Sequence, residues 1–234
     1  MKQTTVRDGL APAMQPTPGG GVWPVNDAVG KTDRLMMTRC IALSKESGEA
    51  GEYPYGAVIC HDGMVVAESI NKVTQDGDVT RHAEVVAISL AQKVLATVSL
   101  DECEIYVNAE PCAFCCYAIR ESRMRRVVYG LSSPHMGGVS KWNVLGDKDI
   151  SETMPEVFAP PPEIVSGFMA DEVEKALIEW NPLIASIISR RGLFGAAPRV
   201  MTGVIQYHPT ERPNLRGRVF RFLRRHIFDY FGRR

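Results

Sequence analysis

The sequence predicts an α/β fold, three layers deep, with a mixed sheet of about five strands between helices. Three observations carry this. Short β-branched runs bounded by turn residues read as strands. Apolar residues at helical spacing lie between them. The order of these segments is helix, two strands, then helix–strand–helix–strand, an alternation that places helices on a single sheet.

Each element follows from local chemistry. Residues 1–30 carry Pro12, Pro16, Pro18, Gly19, Gly20, Gly21 and Pro24, which break any period. Thr32 is expected to cap a helix through Leu35, Met36, Ile41 and Leu43 to Gly48. Tyr55–Cys60 and Met64–Ser69 read as a hairpin, with His61-Asp62-Gly63 as its turn. Thr80–Thr97 reads as a helix with Val85, Val86, Ile88, Leu90, Val94 and Leu95 on its apolar faces. Glu104–Asn108 is a short buried strand. Cys112–Ser122 is a helix introduced by Pro111, a residue favoured at the first helical position. Arg126–Tyr129 is another strand. Gly130–Gly146 is a loop, and Pro160-Pro161-Pro162 marks a break. Ala170–Trp180 is a helix stopped near Asn181-Pro182, and Leu183–Ser189 reads as a further short one.

Composition narrows the function classes. The chain has 234 residues, 45% of them hydrophobic and 23% charged, so collagen-like and wholly disordered readings are excluded. Twenty-seven basic and 27 acidic residues cancel, but unevenly. Arg190–Arg234 holds eleven Arg and two acids, a net +9, which leaves residues 1–189 at −9. The expected organisation is a flexible extension over 1–30, a catalytic domain over 31–190, and an Arg-rich extension over 191–234. No stretch approaches the 18 consecutive apolar residues of a membrane span. Met1–Leu10 lacks the apolar core of a secretory signal, so a cytoplasmic protein is expected. Six Cys are too few for a disulfide scaffold, and closely spaced ones are read first as metal or catalytic groups.

Two motifs carry chemistry: His82-Ala83-Glu84 and Pro111-Cys112-Ala113-Phe114-Cys115. Cys112 and Cys115, three apart at a helix start, project to one side as a two-thiolate clamp. His82 adds a third ligand. One His and two Cys leave the fourth tetrahedral position of a Zn²⁺ open, the mark of a catalytic rather than a structural site. Both motifs begin helices, whose positive ends favour thiolate over thiol. Glu84 is not needed as a ligand and can carry protons between water and a departing group. Cys40, Cys60, Cys103 and Cys116 read as core residues. His61, His135, His208 and His226 read as solvated or capping groups.

His-x-Glu with Pro-Cys-x-x-Cys on two helices is the signature of zinc deaminases. Residues 32–185 resemble the cytidine and cytosine deaminase superfamily, in the branch of guanine deaminases and tRNA adenosine deaminases. Gly56-Ala57-Val58, Asn71, Asp78-x-Thr80-x-His82-Ala83-Glu84-Val85 and Glu110-Pro111-Cys112 stand in family order. Ile164–Leu177 resembles the entry to the C-terminal helix of the tRNA enzymes. The resemblance implies one zinc per chain on His82, Cys112 and Cys115, with Glu84 shuttling protons. It implies that the N–H of Cys112 faces the developing charge, that Asn71 hydrogen-bonds the base, and that backbone near Ala57 and Ala83 lines the pocket. It also places Trp142, at the end of Gly137-Gly138-Val139-Ser140-Lys141-Trp142, on the pocket rim, where stacking on a base competes with packing of the loop onto the core.

The implied reaction is hydrolytic deamination of a heterocycle bearing an exocyclic amine. A small free base or nucleoside, guanine-like or cytosine-like, is the leading substrate class, because Asn71-x-Val73-Thr74 looks like the guanine enzymes. Cys116-Tyr117-Ala118 departs from the small residue and Gly-Ala usual after the second Cys. Wobble adenosine in tRNA is the alternative, supported by Ile164–Leu177 and the Arg tail. A non-enzymatic zinc-stabilised module is the remaining class. The resemblance also implies a homodimer. In the tail, Val219, Phe220, Leu223, Ile227, Tyr230 and Phe231 have helical spacing, with Arg218, Arg221, Arg224 and Arg225 beside them. Three readings of it compete: docking on the acidic body or another subunit, RNA phosphates, or an anionic membrane surface.

Overall fold

The computed structural model describes residues 30–195. The expectations for 1–29 and for the Arg-rich tail from 196 onward lie outside the described residues. Five strands and seven helices occur in the order α1 (Lys31–Glu49), β1 (Gly56–His61), β2 (Met64–Ile70), α2 (Val73–Asp76), α3 (Ala83–Leu95), β3 (Cys103–Ala109), α4 (Ala113–Glu121), β4 (Arg126–Leu131), α5 (Asp149–Thr153), β5 (Glu163–Val165), α6 (Ala170–Trp180) and α7 (Pro182–Arg190). The sheet order is β2-β1-β3-β4-β5. β1 pairs antiparallel with β2 and β3, whereas β3, β4 and β5 run parallel, so the sheet is mixed as expected.

Alternation along the strands makes the layers. Val58, Cys60, Tyr106 and Val128 face α1, meeting Met36, Met37, Cys40 and Leu43. Ala57, Ile59, Ile105, Val107, Val127 and Tyr129 face the other way, onto Ala83, Ala87, Ile88 and Ala91 of α3 and Cys116 and Ile119 of α4. Both faces are covered, which is why the strands read as nearly continuous apolar runs. The β1–β2 turn has Asp62 and Gly63 at φ 50° and 73°, the left-handed pair that matches the twist of a two-residue hairpin.

Several boundaries differ from expectation. Thr32 lies inside the first turn of α1, and Gly30 occupies the N-cap. α3 starts at Ala83 rather than Thr80, because Asp78 Oδ1 accepts from the Thr80 N–H and hydroxyl and holds that segment in a turn. α4 starts at Ala113 with Cys112 as N-cap, so Pro111 precedes the cap and is not the first helical residue. α2, α5 and β5 are too short to leave a periodic signal.

A buried ion cluster ties α1 to the sheet. Arg126 donates to both Asp33 oxygens at 2.7 and 3.1 Å and to Glu104 at 3.0 Å, and the Tyr106 hydroxyl bonds Asp33 at 2.5 Å. Burial alone would raise the Asp33 carboxyl, but the bonds from Arg126 and Tyr106 outweigh it and hold the pKa below its ordinary 3.8. Glu52 follows the same rule. Burial raises it, but the N–H groups of Gln75 and Thr74 and the Asn71 amide bring it below 4.5. Depressed carboxylates stabilise the fold above their unfolded pKa, and this stability is lost as pH falls through the folded value. The urea midpoint is therefore expected to fall between about pH 5 and about pH 3, with a shallower fall in Asp33→Asn. An equal slope in that variant would remove Asp33 from the account.

Candidate active site

The site forms where two helices start. His82 is the N-cap of α3 and Cys112 the N-cap of α4, both with extended backbone (ψ 146° and 167°). Cys115 is the third residue of α4. N-cap and third residue are the pair whose side chains meet across a helix start. This converts the Cys-x-x-Cys spacing into a clamp. β3 delivers Cys112 through Ala109-Glu110-Pro111, and α3 packs against β1 and β2 to bring His82 alongside.

His82 Nδ1 lies 3.3 Å from Cys115 Sγ and 3.6 Å from Cys112 Sγ, and the two sulfurs are 3.6 Å apart. A tetrahedral ion with Zn–S of about 2.3 Å and Zn–N of about 2.0 Å sets edges of about 3.8 Å between sulfurs and about 3.5 Å between sulfur and nitrogen. The observed triangle therefore fits one zinc. It is the one His/Cys/Asp/Glu group with metal-ligand spacing among the described residues. Electrostatics split the two thiols instead of favouring thiolate at both. The hydrogen bond to Cys115, helped by His82, lowers the Cys112 thiol to about 4. Cys115, sharing that bond and buried, is pushed up. His82 is raised by its bond to Cys112. The Phe114 ring stands edge-on to the His82 ring at 5.8 Å.

Glu84, on the first turn of α3, is buried beside this triangle, and burial pushes its carboxyl up. A cavity of about 250 Å³ opens against it. Of the residues expected from sequence, His82, Glu84, Cys112 and Asn71 line that cavity, and Cys115 lies buried behind it. Ala57 and Ala83 are fully buried and do not line it; their neighbours Tyr55 and Glu84 do. Trp142 does not line it either. It is 56% exposed, with the Lys141 ammonium 5.6 Å from its ring centre. Met136, from the same loop, faces the cavity instead.

Glu52 and Phe194 carry no sequence signal and also shape the site. Asn71 Nδ2 donates to Glu52 at 2.9 Å, which fixes the amide and leaves Oδ1 to accept from a ligand. The buried Glu110 carboxylate accepts from the N–H groups of Ser133, Val139 and Ser140 at 2.6, 3.0 and 2.6 Å. It thereby folds the 133–140 loop over the Cys112 end of α4. A Cβ at Gly137 would come 2.0 Å from Glu110, and one at Gly138 would come 2.2 Å from Cys116 Sγ, so both positions exploit the missing side chain. Cys116 is core, as expected, and its thiol bonds the Pro111 carbonyl. Finally, Ser132 and Gly195 exchange two backbone bonds (3.0 and 3.1 Å). These bonds turn Phe194 into the cavity, edge-on to Tyr55 at 6.4 Å.

Comparison with known proteins agrees with this geometry. Residues 30–131 match the family described as the cytidine and deoxycytidylate deaminase zinc-binding region. The chain is 36% identical over 118 residues to a tRNA-specific adenosine deaminase of Aquifex aeolicus, covering 50% of this chain and 78% of that protein. It is 45% identical over 95 residues to guanine deaminase of Bacillus subtilis, covering 40% and 61% respectively. A solved structure from work on A-to-I editing by tRNA:A34 deaminases at the wobble position of transfer RNA superposes with a TM-score of 0.54. That pair is 32% identical over 62% of this chain and 99% of the other.

Proposed function

The chain belongs to the cytidine and deoxycytidylate deaminase family, and from that premise we propose that it replaces the exocyclic amine of a small nucleobase or nucleoside by an oxo group, on a guanine-like or cytosine-like ring. The observation that carries the deaminase chemistry is the metal-sized triangle of His82, Cys112 and Cys115 with the non-ligating Glu84 beside it. His82, Cys112 and Cys115 would hold one zinc per chain, which when bound would supply an activated water at neutral pH. As the water oxygen bonds the ring carbon, Glu84 takes a proton from it and delivers it to a ring nitrogen; Glu84 then carries the proton of the new hydroxyl to the amine, so that the C–N bond breaks, ammonia leaves and the oxo group forms. The N–H of Cys112, at a helix start, faces the developing charge. Asn71 Oδ1 accepts from a ring N–H, and Tyr55 and Phe194 pack on the ring faces.

Phe194 favours a small substrate. The Ser132–Gly195 bridge holds it in the wall of a cavity of about 250 Å³, a volume suited to a small ring. The second reading, wobble adenosine in tRNA with phosphate contacts from the Arg-rich tail, is favoured by the likeness to a tRNA deaminase over 78% of its length and to the solved structure over 99% of its chain. A homodimer belongs to the same proposal. Phe114, Tyr117 and Met136 leave apolar surface exposed on and beside α4, the kind of patch a partner covers. Thiolate ligands fit a reducing compartment such as the cytoplasm. No helix among the described residues is long and apolar enough to cross a membrane.

Ammonia release by the zinc-loaded protein on one panel of free bases, nucleosides and bulk tRNA tests the reading. Metal content is expected at one zinc per chain, and turnover on a guanine-like or cytosine-like base or nucleoside. Release from tRNA alone selects the second reading. Zinc content without deamination of anything in the panel would overturn both.

A further inference from the structure

A second concavity, about 310 Å³, lies between α6 and α7 and shares Phe194 with the catalytic cavity. Leu177, Ile178, Ile188 and Phe194 give it an apolar floor, and Asp171 and Glu174 stand at its edge. The helices around it leave large apolar side chains uncovered, with Ile178 47% and Leu183 71% exposed. Among the described residues, neither Asp171 nor Glu174 forms an ion pair, whereas their helix neighbours Glu172, Lys175 and Glu179 do. Gly195, the last described residue, is part of the groove wall. The chain therefore leaves the described structure at this groove.

We infer that the α6–α7 groove is the docking site of this chain's own Arg-rich segment, residues 216–231. Two matches select this occupant. Val219, Phe220, Leu223, Ile227, Tyr230 and Phe231 offer an apolar stripe for the floor, while Arg218, Arg221, Arg224 and Arg225 flank it with the charge that Asp171 and Glu174 lack. The tether also favours it, since a segment on the same chain has an effective concentration of about millimolar at a site it can reach. Phe194 borders both the groove and the catalytic cavity. A seated tail packs behind that ring and keeps it against Tyr55. The inference concerns binding and does not depend on which ring is deaminated.

The test uses the full chain with Leu223 replaced by p-benzoylphenylalanine, irradiated and mapped by mass spectrometry. Crosslinks are expected from position 223 to residues 170–189, within one molecule when isotope-labelled and unlabelled protein are mixed. Glu174→Arg puts like charge against the tail and is expected to lower that crosslink by about tenfold or more. Ile178→Asp, also exposed, provides a second groove variant, and an unchanged far-UV circular dichroism spectrum and urea midpoint verify that each retains its fold. Crosslinks between labelled and unlabelled chains would assign the groove to a second copy. Crosslinks to added tRNA alone would assign the tail to nucleic acid. Either result, or crosslinks that map elsewhere or ignore both substitutions, overturns the inference.

Discussion

Glu84→Gln is expected to lower kcat/KM by at least about a thousandfold while the protein keeps its zinc. Glutamine has the shape of glutamate and preserves packing at the start of α3. It cannot take up and release a proton, which is the one task the proposed reaction asks of this side chain. His82, Cys112 and Cys115 already complete the metal triangle without Glu84, so its loss should not release the ion. Ammonia release and metal analysis on the same sample decide the matter. Full activity with zinc bound would remove Glu84 from the mechanism. Lost zinc would make it a ligand or a support of one.

The largest structural effect is expected at Arg120, near the end of α4. This guanidinium is only 2% exposed, and it binds the carbonyls of Val144, Leu145, Asp147 and Ala159 at 2.7–3.0 Å as well as the Ser151 hydroxyl. It is an internal peg that gathers the chain between β4 and β5. Burial lowers its pKa, yet an arginine stays charged, so the carbonyl dipoles around it take the place of water. Arg120→Ala leaves those carbonyls buried without a donor and is expected to destabilise the protein by about 3 kcal/mol or more. Arg120→Lys recovers only part of this, because a compact ammonium cannot span five acceptors held for a planar fork. Urea unfolding measures both variants. Trypsin should cut the 144–159 segment faster in Arg120→Ala than in the parent protein. Unchanged midpoint and cleavage rate would show that the loop holds itself.

The metal centre was legible because its geometry is local. Cys112 and Cys115 are brought together by a single helix start, and a His-x-Glu at another helix start needs only the sheet to bring it near. The core was legible for a similar reason: nearly continuous apolar runs in β1, β3 and β4 mark strands buried on both faces, and helical spacing in α1 and α3 reports which helix faces are buried. Helix starts were less legible, since the Asp78 carboxylate holds Thr80 in a turn by bonds that periodicity does not see, and Cys112 takes extended backbone as the N-cap.

Sequence by itself therefore determined the α/β class, the order of the main strands and helices, and the three residues, His82, Cys112 and Cys115, that the fold brings together. Tertiary structure alone decided the walls. Glu52 reaches Asn71 across 19 residues, Glu110 reaches Ser140 across 30, and Phe194 meets Tyr55 from the far end of the domain. It also left Trp142 in solvent and put Met136 in the cavity, two residues of one loop that local pattern treats alike. A pattern along the chain encodes which way a side chain faces relative to its own element. Which distant group it meets depends on how the elements pack, and no local period carries that information.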